Sequence, residues 1–159
     1  MDEKIAEIMD MAVAAARETM NAGLGGPFGA AVIDAGGELL ALAANSVLAD
    51  HDPTAHAEIK AIRAAAARRG SHDLSGCTLL STCYPCPMCL GAIIWANIDR
   101  LVYGCRPGDA EAIGFRDEFI YEFIEGGCRD GAVLDISEDG REKCLAFFED
   151  YHRQHRPLY

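Results

Sequence analysis

Apolar and small residues recur at Ile5, Ile8, Met9, Ala12, Ala15, Ala16 and Thr19 among charged neighbours, a spacing that predicts one amphipathic helix over about residues 2–21. Asn21, Gly23, Gly25, Gly26 and Pro27 mark its end, and Ala30 to Ile33 follows as a buried strand. Asp34-Ala35-Gly36-Gly37 has turn chemistry, so Leu39 to Ala44 reads as the returning strand of a hairpin, closed by Asn45. After a loop over Asp50 to Thr54, with Thr54 the candidate N-cap, the alanine-rich stretch from His56 to about Arg68 is helical and Gly70 stops it. Cys77 to Thr82 is the next strand, Cys83 to Pro85 a loop, and Pro87 to about Asn97 a helix, since proline is tolerated in a first helical turn. Leu101 to Gly104 is a further strand, and Arg106-Pro107-Gly108-Asp109 a loop. Phe119, Ile120, Phe123 and Ile124 mark a short helix before Gly126-Gly127, Ala132 to Ile136 a fifth strand, and Glu142 to His152 a last amphipathic helix. Strands alternating with helices after an opening hairpin predict an α/β fold, a three-layer α/β/α sandwich around a mixed five-stranded sheet.

Composition narrows the setting. The 159 residues, 17.1 kDa, suit one domain spanning 1–159 with a core of its own, and no internal repeat divides it. Half the residues are apolar, yet no long uninterrupted apolar run occurs, and Met1-Asp2-Glu3-Lys4 lacks the basic and hydrophobic regions of a secretory signal. A cytoplasmic protein with no membrane partner is expected. Seven cysteines, an odd number with three clustered at Cys83, Cys86 and Cys89, fit metal binding and reduced thiols better than a disulfide framework. A net charge of −11 opposes a polyanionic partner, and the one basic cluster, Arg153 to Arg156, reads as a solvated helix terminus. The charge therefore favours a free small molecule over tRNA or DNA.

The chemistry concentrates in His56-Ala57-Glu58 and Pro85-Cys86-Pro87-Met88-Cys89. His56, Cys86 and Cys89 give three nitrogen and sulfur ligands, which suits one zinc ion per chain and leaves a fourth tetrahedral position for water, the coordination count of a catalytic site. Zinc lowers the pKa of such a water toward neutrality. Glu58, two residues past the histidine, is placed to serve as base: hydroxide attack on an amidine-type ring carbon must be matched by protonation of the ring nitrogen and then of the leaving amine. H-x-E followed by P-C-x-x-C is the signature of zinc deaminases acting on bases. Two other readings of the cysteines stand beside this one: a closed structural site with Cys83 as fourth ligand, and a redox pair of Cys86 and Cys89.

These motifs resemble the cytidine deaminase-like superfamily. Gly25 to Ala30, Asp52 to Glu58, Cys86 to Ala96 and Ala112 to Tyr121 are similar to the bacterial guanine deaminases, Gly114 to Tyr121 most specifically. The resemblance implies hydrolytic deamination of a free nucleobase, guanine to xanthine and ammonia. It also implies that Phe28 stacks on the purine, that Asn45 hydrogen-bonds the ring, and that the Ala57 amide contacts a ring heteroatom. Asp117 would receive the amino and ring N–H groups and help proton movement, while Trp95 and Tyr159 would close the pocket. A homodimer is implied too, with exchange of the segment from about 128 to 159 between subunits left open. Tyr84 departs from the family pattern, which has glutamate before Pro-Cys, and this bears on the substrate. Ammeline-type triazines, pterins, cytosine and nucleosides remain alternatives, as do a tRNA adenosine deaminase and, outside enzymes, a silent binding module of the same fold.

Overall fold

The first periodic stretch forms α1 (Glu3–Asn21), which buries Ile5, Ile8, Ala12 and Ala16. The computed structural model describes residues 3–158. Contacts divide the chain into two units, Met1–Ile120 and Tyr121–Tyr159.

In the first unit the hairpin is β1 (Gly29–Ile33) and β2 (Leu39–Ala44), paired antiparallel. Its turn closes because Asp34 Oδ1 accepts from the Gly36 and Glu38 amides at 2.9 and 2.8 Å. β3 (Thr78–Cys83) joins β1 antiparallel and β4 (Arg100–Cys105) joins β3 parallel, giving the order β2-β1-β3-β4. Between β3 and β4 runs α4 (Pro87–Trp95), the crossover that a parallel pair requires. α3 (Ala57–Arg69) precedes β3.

Alternation along the strands sorts the layers. Ala31, Ile33 and Leu80 pack with Ile5 and Ile8 of α1. Ala30, Val32 and Leu79 pack on the opposite face with Ala57, Ala61 and Ala65 of α3 and with Ile93 and Ala96 around α4. β1 is buried at all five positions because a layer covers each face, so it reads as an apolar run rather than an alternation. The expected three-layer α/β/α arrangement with a mixed sheet is therefore present.

Small side chains let the layers close. A Cβ built on Gly29 would stand 2.1 Å from the Ala12 carbonyl oxygen of α1. Gly29→Ala should cost on the order of 3 kcal/mol, the upper range for overpacking against backbone. At about 2–4 °C per kcal/mol for a chain of this size, that lowers the melting temperature by roughly 6–12 °C. An unchanged melting temperature would show that α1 can lift from β1 without loss.

Three features depart from the sequence expectation. The sheet has four strands among the described residues, not five: over Ala132 to Ile136, Asp130 captures the chain in a turn, its carbonyl accepting from Val133 and Leu134 and its side chain from Ala132. Two short helices were not expected, each too short to show a helical period: α2 (Val47–Asp50), between the strand end at Asn45 and the loop from Asp50, and α5 (Pro107–Glu111), which begins within the stretch read as the Arg106 to Asp109 loop. The N-cap of α3 is His56 rather than Thr54, whose amide and hydroxyl both donate to Asp52.

α6 (Asp117–Glu125) and α7 (Arg141–Arg153) complete the elements, and neither buries a residue. α7 lies in the second unit, where Phe147 and Phe148 are each 71% exposed. Among the described residues, no helix is long and apolar enough to cross a membrane.

Candidate active site

The starts of α3 and α4 meet. His56 and Cys86 are the N-cap residues of these helices, both in extended backbone conformation, and Cys89 lies in the first turn of α4 behind Pro87. Each helix N-terminus carries partial positive charge, which favours thiolate. Cys86 and Cys89 are buried and pack on Ile59 of α3.

The three side chains form a cluster whose ligand atoms all lie within 4.8 Å of one another. His56 Nδ1 is 3.7 Å from Cys86 Sγ and 3.5 Å from Cys89 Sγ. A tetrahedral zinc with Zn–N near 2.0–2.1 Å and Zn–S near 2.3 Å requires N···S separations of about 3.6 Å. The residues fit the ion. Hydrogen bonding from Cys89, together with that from His56, draws the Cys86 thiol well below its ordinary value.

Cys83, the candidate fourth ligand of a closed site, is outside this cluster. Its Sγ donates to the Arg106 carbonyl at 3.7 Å, and burial pushes its thiol up to about 11, away from the form that binds metal.

Glu58 stands beside the cluster without joining it. It is only 6% exposed, and Ser81 Oγ, on the face of β3 turned to α3, donates to Glu58 Oε1 at 3.2 Å. Burial raises its pKa, which brings the carboxyl closer to holding a proton at neutral pH.

His56, Glu58 and Cys86 line a cavity of about 400 Å³ that Phe28, Asn45, Tyr84 and Asp117 also line. Six of the ten residues singled out in the sequence, Phe28, Asn45, His56, Glu58, Cys86 and Asp117, thus line one cavity. Phe28 presents its ring edge-on to Phe115, centroids 4.7 Å apart and planes at 83°. The close approach depends on Gly26, where a Cβ would come within 2.9 Å of both rings. Asn45 is fixed by its own carbonyl: Oδ1 accepts from the Gly26 and Val47 amides at 3.1 and 3.2 Å. That commitment leaves the Nδ2 hydrogens as what Asn45 offers a ligand. Asp117 opens α6, and burial raises its pKa.

Ala57 is fully buried between His56 and Glu58 and does not line the cavity; as the first residue of α3 its amide has no helical acceptor. Trp95, at the end of α4, is 70% exposed and away from this cavity. Tyr159 lies outside the described residues. Phe115, Val47 and Leu48 line the cavity although none was a candidate. Phe115 carried a usable signal, an aromatic two positions before Asp117 within the segment most similar to the guanine deaminases. Tyr84 meets Tyr103 edge-on at 5.0 Å, so the position that departs from the pattern is part of the cavity wall.

Comparison with known proteins agrees with this geometry. The model of the cytidine and deoxycytidylate deaminase zinc-binding region matches residues 2–105. A guanine deaminase of Bacillus subtilis is 47% identical over 114 residues, 72% of each chain. The solved structure of guanine deaminase from the same organism aligns with a TM-score of 0.89 at 36% identity, covering 100% of this chain and 99% of that one. For guanine deaminase from Nitrosomonas europaea the TM-score is 0.65 at 39% identity, over 69% of this chain and 63% of the other. With the H-x-E and P-C-x-x-C residues gathered at one cavity and the family model covering both, the chain belongs to the cytidine and deoxycytidylate deaminase zinc-binding family.

Proposed function

We propose that this chain is a zinc-dependent aminohydrolase that converts guanine and water to xanthine and ammonia. The observation that carries the reading is a buried carboxylate, Glu58, set beside a three-residue metal cluster in a cavity with aromatic walls. Similarity to two guanine deaminases, over nearly the whole chain for one of them, supports the substrate.

His56, Cys86 and Cys89 would hold a zinc ion, which would supply a nucleophile from water at neutral pH. Glu58 takes up the proton released as the nucleophile forms and delivers it to the ring nitrogen beside the attacked carbon. It then takes the second proton from the newly bound oxygen and passes it to the departing amine, so that the two protons of water end on the ring and on ammonia. Ser81 holds that carboxylate by one oxygen, which keeps the other available for transfer. Phe28 stacks on the flat base while Phe115 braces it from the side. The Nδ2 hydrogens of Asn45 suit the oxo and ring-nitrogen acceptors of guanine and repel the exocyclic amine that adenine carries at the same place. Asp117 accepts the amino and ring N–H groups at the reacting end, and the first amide of α3, Ala57, contacts a ring heteroatom.

The reading extends to assembly and setting: one deaminase domain, a homodimer, in the cytoplasm. Trp95 and Tyr159 would then close a neighbouring subunit's cavity rather than their own. Support comes from the exposed Trp95 and from α6 and α7, which bury nothing within one chain.

The test is ammonia release from guanine, ammeline, pterins, cytosine, adenine and their nucleosides. Guanine should be the fastest. Rapid release from another base with none from guanine would overturn the substrate and point to Tyr84, a phenol in the wall of the cavity.

A further inference from the structure

Lys60 stands one turn into α3, where its backbone N–H donates to the carbonyl of His56 at 3.0 Å. Its Nζ donates to Ser46 Oγ at 2.5 Å, and Ser46 Oγ donates in turn to Asp50 Oδ2 at 2.5 Å. A hydroxyl has one proton, so with Asp50 accepting it, only the oxygen lone pairs face the ammonium, and the chain of bonds runs one way. Ser46 is buried and its backbone is committed as well: its N–H donates to Ala55 O at 3.1 Å and its carbonyl accepts from the Asp50 amide at 2.9 Å.

The residue so pinned lies between two that line the cavity. Asn45 precedes it and Val47 follows, and the Val47 amide is one of the two donors that fix the Asn45 carbonyl. A shift of Ser46 would therefore displace the Val47 amide from Asn45 Oδ1 and leave the Gly26 amide as its remaining donor, loosening the side chain. Lys60 thus links the start of α3, which carries His56 and Glu58, to the segment that carries Asn45. A charge-assisted bond is stronger and more directional than the neutral ones around it.

We propose that Lys60 is a positioning residue for substrate binding: through Ser46 and Asp50 it holds the 45–50 segment so that Asn45 presents only its amide hydrogens to the base. The role rests on the reading that a nucleobase occupies this cavity.

Lys60→Met keeps the length of the side chain and removes the charge. With guanine it should raise KM about tenfold, the loss expected of one charged hydrogen bond, and leave kcat within about twofold, as for lost uniform binding. Zinc content should not change, and Lys60→Arg should recover most of the affinity. In an Asn45→Ala background, Lys60→Met should add no more than about twofold, because the two act as one unit. A full further loss there, or a loss carried by kcat or by zinc, overturns the proposal. Amide exchange supplies a readout that needs no substrate: in Lys60→Met the Gly26 and Val47 amides should exchange faster while those of β1 do not. Unchanged exchange at both amides, or faster exchange throughout, overturns the positioning role. Failure of the unaltered protein to deaminate guanine would count against the substrate alone, and the exchange result would still decide the role of Lys60.

Discussion

Glu58→Gln will bind zinc at about one ion per chain, as a three-ligand site should, and will lose turnover by roughly 10²–10⁴-fold, the contribution typical of a positioned general acid and base. Glutamine has the shape of glutamate and keeps an oxygen for Ser81 Oγ, so the packing around a side chain that is 6% exposed is preserved. What it lacks is a site that can take a proton and return it. The reaction needs two deliveries, to the ring nitrogen and to the leaving amine, and the other carboxylate among the described residues lining this cavity is Asp117. The measurement is kcat on the best substrate of the ammonia screen, with metal analysis of the same preparation. A rate near that of the unaltered enzyme would remove Glu58 from the mechanism, and a loss of zinc would make it a ligand instead.

Cys89→Ser should abolish metal binding and activity together. Cys89 is fully buried, and its sulfur is the nearer of the two to His56 Nδ1, at 3.5 Å against 3.7 Å for Cys86. A serine oxygen is a shorter and harder donor that leaves the cluster with two ligands. Metal bound to the folded state alone stabilises it, by about 2.7 kcal/mol at a free concentration one hundred times the dissociation constant. The variant should therefore melt below the zinc-loaded enzyme, and neither added zinc nor a chelator should move its melting temperature. Cys83→Ser is the contrast, since Cys83 is outside the cluster and should leave zinc in place. Retention of zinc in Cys89→Ser with its loss in Cys83→Ser would invert the assignment.

The metal-binding cluster and the carboxylate beside it were legible because their pattern is local: a histidine and glutamate at one helix start, and two cysteines three apart at another. α1 and the hairpin were legible for a related reason, that an amphipathic period and an Asp-Ala-Gly-Gly turn announce themselves over a few residues. What escaped was set by contacts distant in sequence or by segments too short to show a period. Phe115 enters the cavity because Gly26, far upstream, leaves room for its ring. Lys60 looks like a solvent-facing helix residue until Ser46 is seen beneath it. The fifth strand failed because Asp130 offers three acceptor contacts to the amides that a strand would have used. Trp95 follows from resemblance alone, and within one chain nothing brings it to the cavity.

His56 and Cys86, thirty positions apart, cap two different helices yet share one cluster. A metal ion held between them acts as a cross-link that closes a loop containing all of α3 and β3, in the manner of a disulfide but without an oxidising compartment. Starved of zinc, the protein would lose more than its nucleophile. The segment that carries Glu58, Lys60 and Ser81 would lose the clasp that holds its two ends together, so catalytic competence and the order of this layer should rise and fall with metal supply as one event.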